Sequence, residues 1–192
     1  NLDEEFKKLD IPIFMRVHLP QNFDPKEYSL TSNLVPVNNI ATTEYIYFYF
    51  KTDNIWGSEL EDSISNLAIY TTRFSDSCNI IPLFYQNNDS YYNQEGKEWL
   101  YETWQKRTSS CENKVLPIPS FIGVSCGDYK QKHERGLSEN YRIYVTDSEP
   151  GKTFEEKYYT DANYQMPDGW EHGYTRGVAI SDKDVIFFFT SW

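Results

Sequence analysis

The segment Glu44-Tyr45-Ile46-Tyr47-Phe48-Tyr49-Phe50-Lys51 leaves the chain least freedom. Eight consecutive β-branched, aromatic or flanking charged residues in strict alternation form a β-strand. Its pleat sends Ile46, Phe48 and Phe50 to one side and Tyr45, Tyr47 and Tyr49 to the other. The first side reads as core. The tyrosine side suits either a second packed layer or a binding surface, because a tyrosine buries its ring but needs a partner for its hydroxyl.

The chain of 192 residues is long enough to fill one hydrophobic core, and no linker-like stretch divides it. A single domain over residues 1–192 is expected, with 1–10 either a short amphipathic turn (Leu2, Phe6, Leu9) or frayed. Aromatic residues make up 17% of the chain, which excludes a disordered or low-complexity protein. The formal charge of −11 disfavours nucleic acid and anionic membrane surfaces as partners and favours a basic protein. No apolar run approaches a membrane span, so membrane insertion is not expected. A start at Asn1 without an initiator Met fits a removed export signal, hence a periplasmic or extracellular location.

Further elements follow from periodicity and breakers. Ile11, Ile13, Met15, Val17 and Leu19 alternate with polar or bulky residues, predicting a strand that ends at Pro20. Ser58-Glu59-Leu60-Glu61 matches a capping box and predicts a short helix near 58–65. Residues 66–74 and 80–85 read as strands. Lys97 to Arg107 carries Trp99, Leu100, Thr103 and Trp104 on one side and reads as an amphipathic helix. Val115 to Val124 is apolar, but Pro117 and Pro119 confine it to an edge or bulged strand. Tyr141 to Thr146 reads as a strand, followed by a turn over 147–152. Gly177 to Ile180 and Val185 to Thr190 read as strands around a Ser181-Asp182-Lys183-Asp184 turn, the last apolar on both faces like an interior strand. The sum is a mainly β fold, an antiparallel sandwich or curled sheet of about eight strands with helices at 97–107 and near 58–65.

Three cysteines, Cys78, Cys111 and Cys126, allow one bridge and a free thiol. Cys111 and Cys126 bracket one apolar segment and are the expected pair, a closure contributing about 3 kcal/mol in the chain-entropy model. Three reduced cysteines in a cytosolic protein are the competing reading. Asn88-Asp89-Ser90 fits a glycosylation acceptor.

Catalytic signals are sparse. Gly123-Val124-Ser125-Cys126-Gly127 matches G-x-S-x-G, with Asp147 or Asp161 and then His172 following in hydrolase order. The prolines before it and the charged run after it do not supply the strand-to-helix turn that a nucleophile elbow needs, so Ser125 is not expected to be a nucleophile. His18 lacks a second ligand at useful spacing. Asp161, Asn163 and Asp168 do not have the spacing of an EF-hand loop. No phosphate loop, zinc spacing or dinucleotide fingerprint is present, and no metal or cofactor is expected.

The long aromatic and acidic stretch from Glu155 to Tyr174 is the expected contact surface, with Tyr158, Tyr159, Asp161, Tyr164, Asp168, Trp170, Glu171 and Tyr174 as partner-binding residues. Rings supply buried area at low entropic cost, and carboxylates steer a basic partner. These features predict a non-catalytic acidic protein that binds and neutralises a basic toxin or enzyme, as immunity proteins and inhibitors do. A carbohydrate-binding module and a serine hydrolase at Ser125 are the alternatives.

Overall fold

The computed structural model describes residues 7, 13–17, 28–33, 44–51, 54–74, 76, 78–79, 116–119, 137, 140–152, 166, 169–182 and 184–192, with the backbone alone at 16, 28–33, 44–51 and 54–57. The predicted strand over 44–51 is present with those bounds, and the described chain is mainly β. Six strands form one open antiparallel sheet: β1 (Tyr28–Asn33), β2 (Glu44–Lys51), β3 (Tyr70–Arg73), β4 (Arg142–Pro150), β5 (Gly173–Ile180) and β6 (Asp184–Ser191). Their spatial order is β1-β2-β6-β5-β4-β3.

β6 lies between β2 and β5, which explains its apolar composition on both faces. Val185 through Trp192 are all buried. The β5–β6 hairpin is closed by the Ser181 amide donating to the Asp184 carbonyl at 2.9 Å and the Asp184 amide donating to Ser181 Oγ at 3.1 Å. That uses the turn-forming habit of serine and aspartate in the predicted position.

Two helices accompany the sheet, α1 (Ile13–Arg16) and α2 (Asn54–Ser65). Four antiparallel steps separate β2 from β3, so these strands run parallel, and the connection between them must cross the sheet. α2 makes that crossing over β4 and β5. Its side of the sheet carries Arg142, Tyr144, Tyr174, Arg176, Val178, Phe187 and Phe189 by strand parity and register. The opposite side is covered by Leu116, Ile118 and Leu137, which pack with Tyr141, Ile143, Val145, Ala179, Ile186 and Phe188 in one buried cluster. The helix thus lies over β4 and β5 on one face, and irregular chain over β4, β5 and β6 on the other.

Several expectations change. The described residues form one sheet of six strands, and no second sheet of a sandwich is among them. The alternating segment from Ile11 is not a strand: residues 13–16 form a helical turn in which Met15 is fully buried while Ile13 and Val17 stay exposed. Pro12, a residue type favoured at helix starts, immediately precedes Ile13 in the sequence. α2 begins at Asn54, so Ser58 lies inside it rather than at its cap, and Glu61 is engaged elsewhere. Asp53, a favoured N-cap type, stands immediately ahead of Asn54 in the sequence. The strand expected over 66–74 is confined to β3, with a turn before it. β4 continues through the expected turn to Pro150, because a bulge between Val145 and Asp147 restores its pairing with β5. β5 begins at Gly173, four residues before the expected start. Pro117 makes only an isolated bridge, as the two prolines require. The helix expected at 97–107 and the strand expected at 80–85 lie outside the described residues.

Cys111 and Cys126, the expected pair, lie outside the described residues. Cys78, which is disulfide-bonded, is carried by the turn after β3, where its amide donates to Asp76 Oδ1 at 2.9 Å. One free thiol is expected on titration under denaturing, non-reducing conditions, and a non-reducing peptide map should identify the bridged pair. Three free thiols would contradict the expectation of one bridge.

Candidate binding corner

The functional expectation centred on the chain between β4 and β5. Of its residues, Tyr158, Tyr159, Asp161, Tyr164 and Asp168 lie outside the described residues. Trp170, Glu171 and Tyr174 are described, and the structure divides them between two environments.

Trp170 and Glu171 stand at the entry to β5. Gly169, with φ of +85°, supplies the left-handed turn that presents them, a conformation strained for any other residue. The Trp170 ring stacks on Trp192 with centroids 6.0 Å apart and 29° between planes. Trp192 Nε1 donates to the Trp170 carbonyl at 2.8 Å. Met166 and Trp192 are buried beneath the half-buried Trp170. Both indoles rest against Gly173: a Cβ there would lie 3.0 Å from Trp192 Cζ2 and 3.2 Å from Trp170 Cε3. Reciprocal amide-to-carbonyl bonds of 3.1 Å between Gly173 and Trp192 hold the strand ends together. The Gly151 amide, donating to the His172 carbonyl at 2.7 Å, closes the β4 side.

The Glu171 carboxyl is held below the usual carboxylate range, first by backbone amides of Glu171 itself and Gly169 and then by His172 nearby. It therefore carries its charge at neutral pH. A tryptophan fixed by packing beside a charged carboxylate can offer apolar area without a large ordering cost and can steer a cation.

Tyr174 is different. Its ring is buried and stacked on Phe189, centroids 5.9 Å apart, and its hydroxyl donates to Asp147 Oδ2 at 2.8 Å. Arg176 Nη2 meets the same oxygen at 2.5 Å, and its Nη1 donates to the Phe14 carbonyl at 3.1 Å. Burial, then the Asp147 hydrogen bond, pushes the Tyr174 hydroxyl well above its ordinary pKa. Arg176, paired with Asp147, thus anchors α1 to the sheet, and the expected contact role of Tyr174 gives way to an internal one. Asp147, a candidate hydrolase acid in the sequence, is occupied by this anchor. Ser125 lies outside the described residues.

A second ionic anchor ties α2 to β4. Arg142 Nε and Nη2 donate to the two carboxylate oxygens of Glu61, the Nη2 bond at 2.6 Å, and the Tyr144 hydroxyl donates to Glu61 Oε1. The Arg142 bond is the main reason that the Glu61 carboxyl lies below its ordinary pKa. Because the folded value is depressed, this stabilisation is complete above the unfolded carboxyl pKa of about 4.3 and is lost as pH falls through the folded value. Glu61→Gln should lower stability at pH 7 by about 2 kcal/mol, less than a fully buried pair because the two side chains remain 36% and 23% exposed. The gap between variant and parent should narrow as pH is lowered from 5 to 3, measured as urea midpoints. A gap independent of pH would remove the ionic role.

Sequence reading missed both anchors because each joins residues far apart in the chain. The capping-box match at Glu61 even pointed to a local partner. Among the described residues, no group of three His, Cys, Asp or Glu side chains could hold a metal ion, and no helix is long and apolar enough to cross a membrane. Comparison with protein-family models, curated proteins and solved structures found no match.

Proposed function

We propose that this chain is a non-catalytic acidic protein of the periplasm or the extracellular space that binds and neutralises another protein, a basic toxin or enzyme, in the manner of immunity proteins and inhibitors. The observation that carries the reading is the Trp170–Glu171 pair, a half-buried indole locked by stacking next to a carboxylate that stays ionised. It stands at the end of the aromatic and acidic segment that begins at Glu155. The net charge of −11 supports a basic partner and weighs against nucleic acid. The bridge at Cys78 supports an oxidising compartment. No cofactor enters this role.

The test is a pull-down from the source culture followed by binding kinetics on variants whose melting temperature is recorded alongside. Trp170→Ala should weaken binding of the captured partner by about 2 kcal/mol, chiefly through faster dissociation. Glu171→Gln should slow association, and added salt should mimic that loss. Unchanged affinity in folded variants would overturn the placement. A soluble polysaccharide that binds in the partner's place would transfer the assignment to a carbohydrate-binding module.

A further inference from the structure

The sheet is open, so it ends in two edge strands, and the two are built differently. β3 is guarded. It has four residues, it ends on the cation Arg73, and the Arg73 carbonyl accepts from Asn79 Nδ2 at 2.7 Å and from the Asp76 amide at 2.9 Å. Short length, charge and a folded-over end are common means of keeping a sheet edge from pairing with another chain. β1, Tyr28-Ser29-Leu30-Thr31-Ser32-Asn33, has none of them. Its six residues pair with β2 in unbroken register from Tyr28–Phe50 to Asn33–Tyr45, without bulge, proline or charge. Among the described residues, no strand pairs with its outer side. An edge strand presents alternate backbone N–H and C=O groups along a line, and an extended backbone is the structure that satisfies them in series.

Register shows what reaches this edge. Leu30 pairs with Phe48, Phe48 with Phe187, Phe187 with Val178 and Val178 with Tyr144, one row across five strands. Phe187, Val178 and Tyr144 are buried. The row keeps large apolar or aromatic residue types up to the sheet boundary and stops at Leu30.

Charge selects the occupant. The run from Tyr28 to Thr43 contains no charged residue, in a chain of which 24% is charged. A basic partner of the kind proposed for Trp170 and Glu171 would find no carboxylate in this strand to pair with its cations. A second copy of β1 brings no charge to the contact. Two copies related by a twofold axis perpendicular to the sheet pair antiparallel and keep their faces aligned, which makes the contact isologous. With the axis at Leu30, that residue meets its own counterpart, Ser29 meets Thr31, Tyr28 meets Ser32, and the apolar row continues into the second sheet.

We infer that β1 is a self-association edge, at which two copies of this chain join antiparallel about Leu30 into one continuous sheet. The inference is independent of the Trp170 reading, whose residues stand at the entry to β5 and are separated from β1 by β6 and β2. The formal charge of −11 on each copy opposes approach, so salt strengthens this contact by screening the repulsion, whereas it weakens capture of a basic partner.

The test is sedimentation equilibrium of the full chain over a range of concentrations and salt. The average mass should climb from that of one chain toward that of two and stop there, with tighter association at about 0.3 M salt than at about 0.05 M. Ser29→Lys with Thr31→Lys sets like charges opposite each other on both sides of the axis and should weaken the dimer about tenfold or more. Ser29→Lys with Thr31→Glu sets opposite charges there and should restore it. Both double variants alter the same two positions, so the rescue separates pairing at this edge from damage to the fold. Trp170→Ala should leave the dimer unchanged. A mass of one chain at every concentration would overturn the inference, as would growth beyond two chains or a dimer equally stable in both double variants. Loss of the captured partner in the double-lysine variant alone, with no dimer in the parent, would give the edge to that partner and also overturn it. Loss of the captured partner in Trp170→Ala with the dimer intact would support two separate surfaces.

Discussion

Trp192→Ala should lower the stability of the protein by about 4 kcal/mol, within the range for deleting a large buried aromatic side chain. Trp192 is 2% exposed and is the largest of the fully buried side chains. Its removal deletes the ring under Trp170 and the indole N–H bonded to the Trp170 carbonyl. At about 2–4 °C per kcal/mol for a chain of this size, the melting temperature should fall by roughly 8–16 °C. Trp192→Phe keeps most of the apolar area and loses the donor, so it should cost about half as much or less. Near-UV circular dichroism should report the loss of the stacked indole pair in both variants. If the partner contact lies at Trp170, both should also bind the partner more weakly than their remaining folded fraction explains. A fall of less than 1 kcal/mol in Trp192→Ala would show that the corner is not built on this residue.

Gly177→Ala should be nearly as damaging, at about 3 kcal/mol, although it adds a single methyl group. Gly177 pairs with Val145 on one side and Phe188 on the other, next to the bulge in β4. A Cβ at this position would come 2.0 Å from the Tyr144 carbonyl oxygen and 2.9 Å from Phe188 Cζ. The phenylalanine ring could shift, but the carbonyl belongs to the backbone of the paired strand. Relief therefore requires parting β4 from β5, and the Tyr144 hydroxyl bond to Glu61 would be displaced with it. Urea unfolding should show the loss, and Gly177→Val should not yield folded protein. Ala179→Gly, two residues along the same side of β5 and fully buried, should cost only about 1 kcal/mol and serves as the comparison. Similar midpoints for Gly177→Ala and the parent would refute the close approach.

The two ionic anchors and the indole pair share a design. Each joins an element that the sheet does not itself contain, α1, α2 or the connection before β5, to a side chain on β4, β5 or just beyond β6. The sheet supplies a rigid base, and the residues proposed for recognition stand at its margins. Such a division lets contact residues change without disturbing the core.

Local pattern was enough for some elements. The alternation of 44–51, the doubly apolar run of 185–190 and the turn at Ser181 to Asp184 each carry their information within a few residues, and the structure has all three. It was not enough where two local signals competed, as when Pro12 and the alternation from Ile11 pulled toward different structures, or when Ser58 and Glu61 mimicked a cap inside a helix. Tyr174 is the instructive site residue. In sequence it is one more ring in an aromatic and acidic stretch, and only pairing with β6 and the approach of Asp147 across the β4 bulge place it in the interior. Trp170, partly buried on Trp192 after the Gly169 turn, keeps its proposed role as the described ring nearest the entry to β5. What the sequence by itself determined is the set of segments that must be strands, since alternation of side chains is a property of neighbouring residues. The strand order, the Glu61–Arg142 and Asp147–Arg176 anchors and the bridging of Cys78 were decided by tertiary structure alone, because each depends on which distant segments meet, and no local pattern encodes that choice.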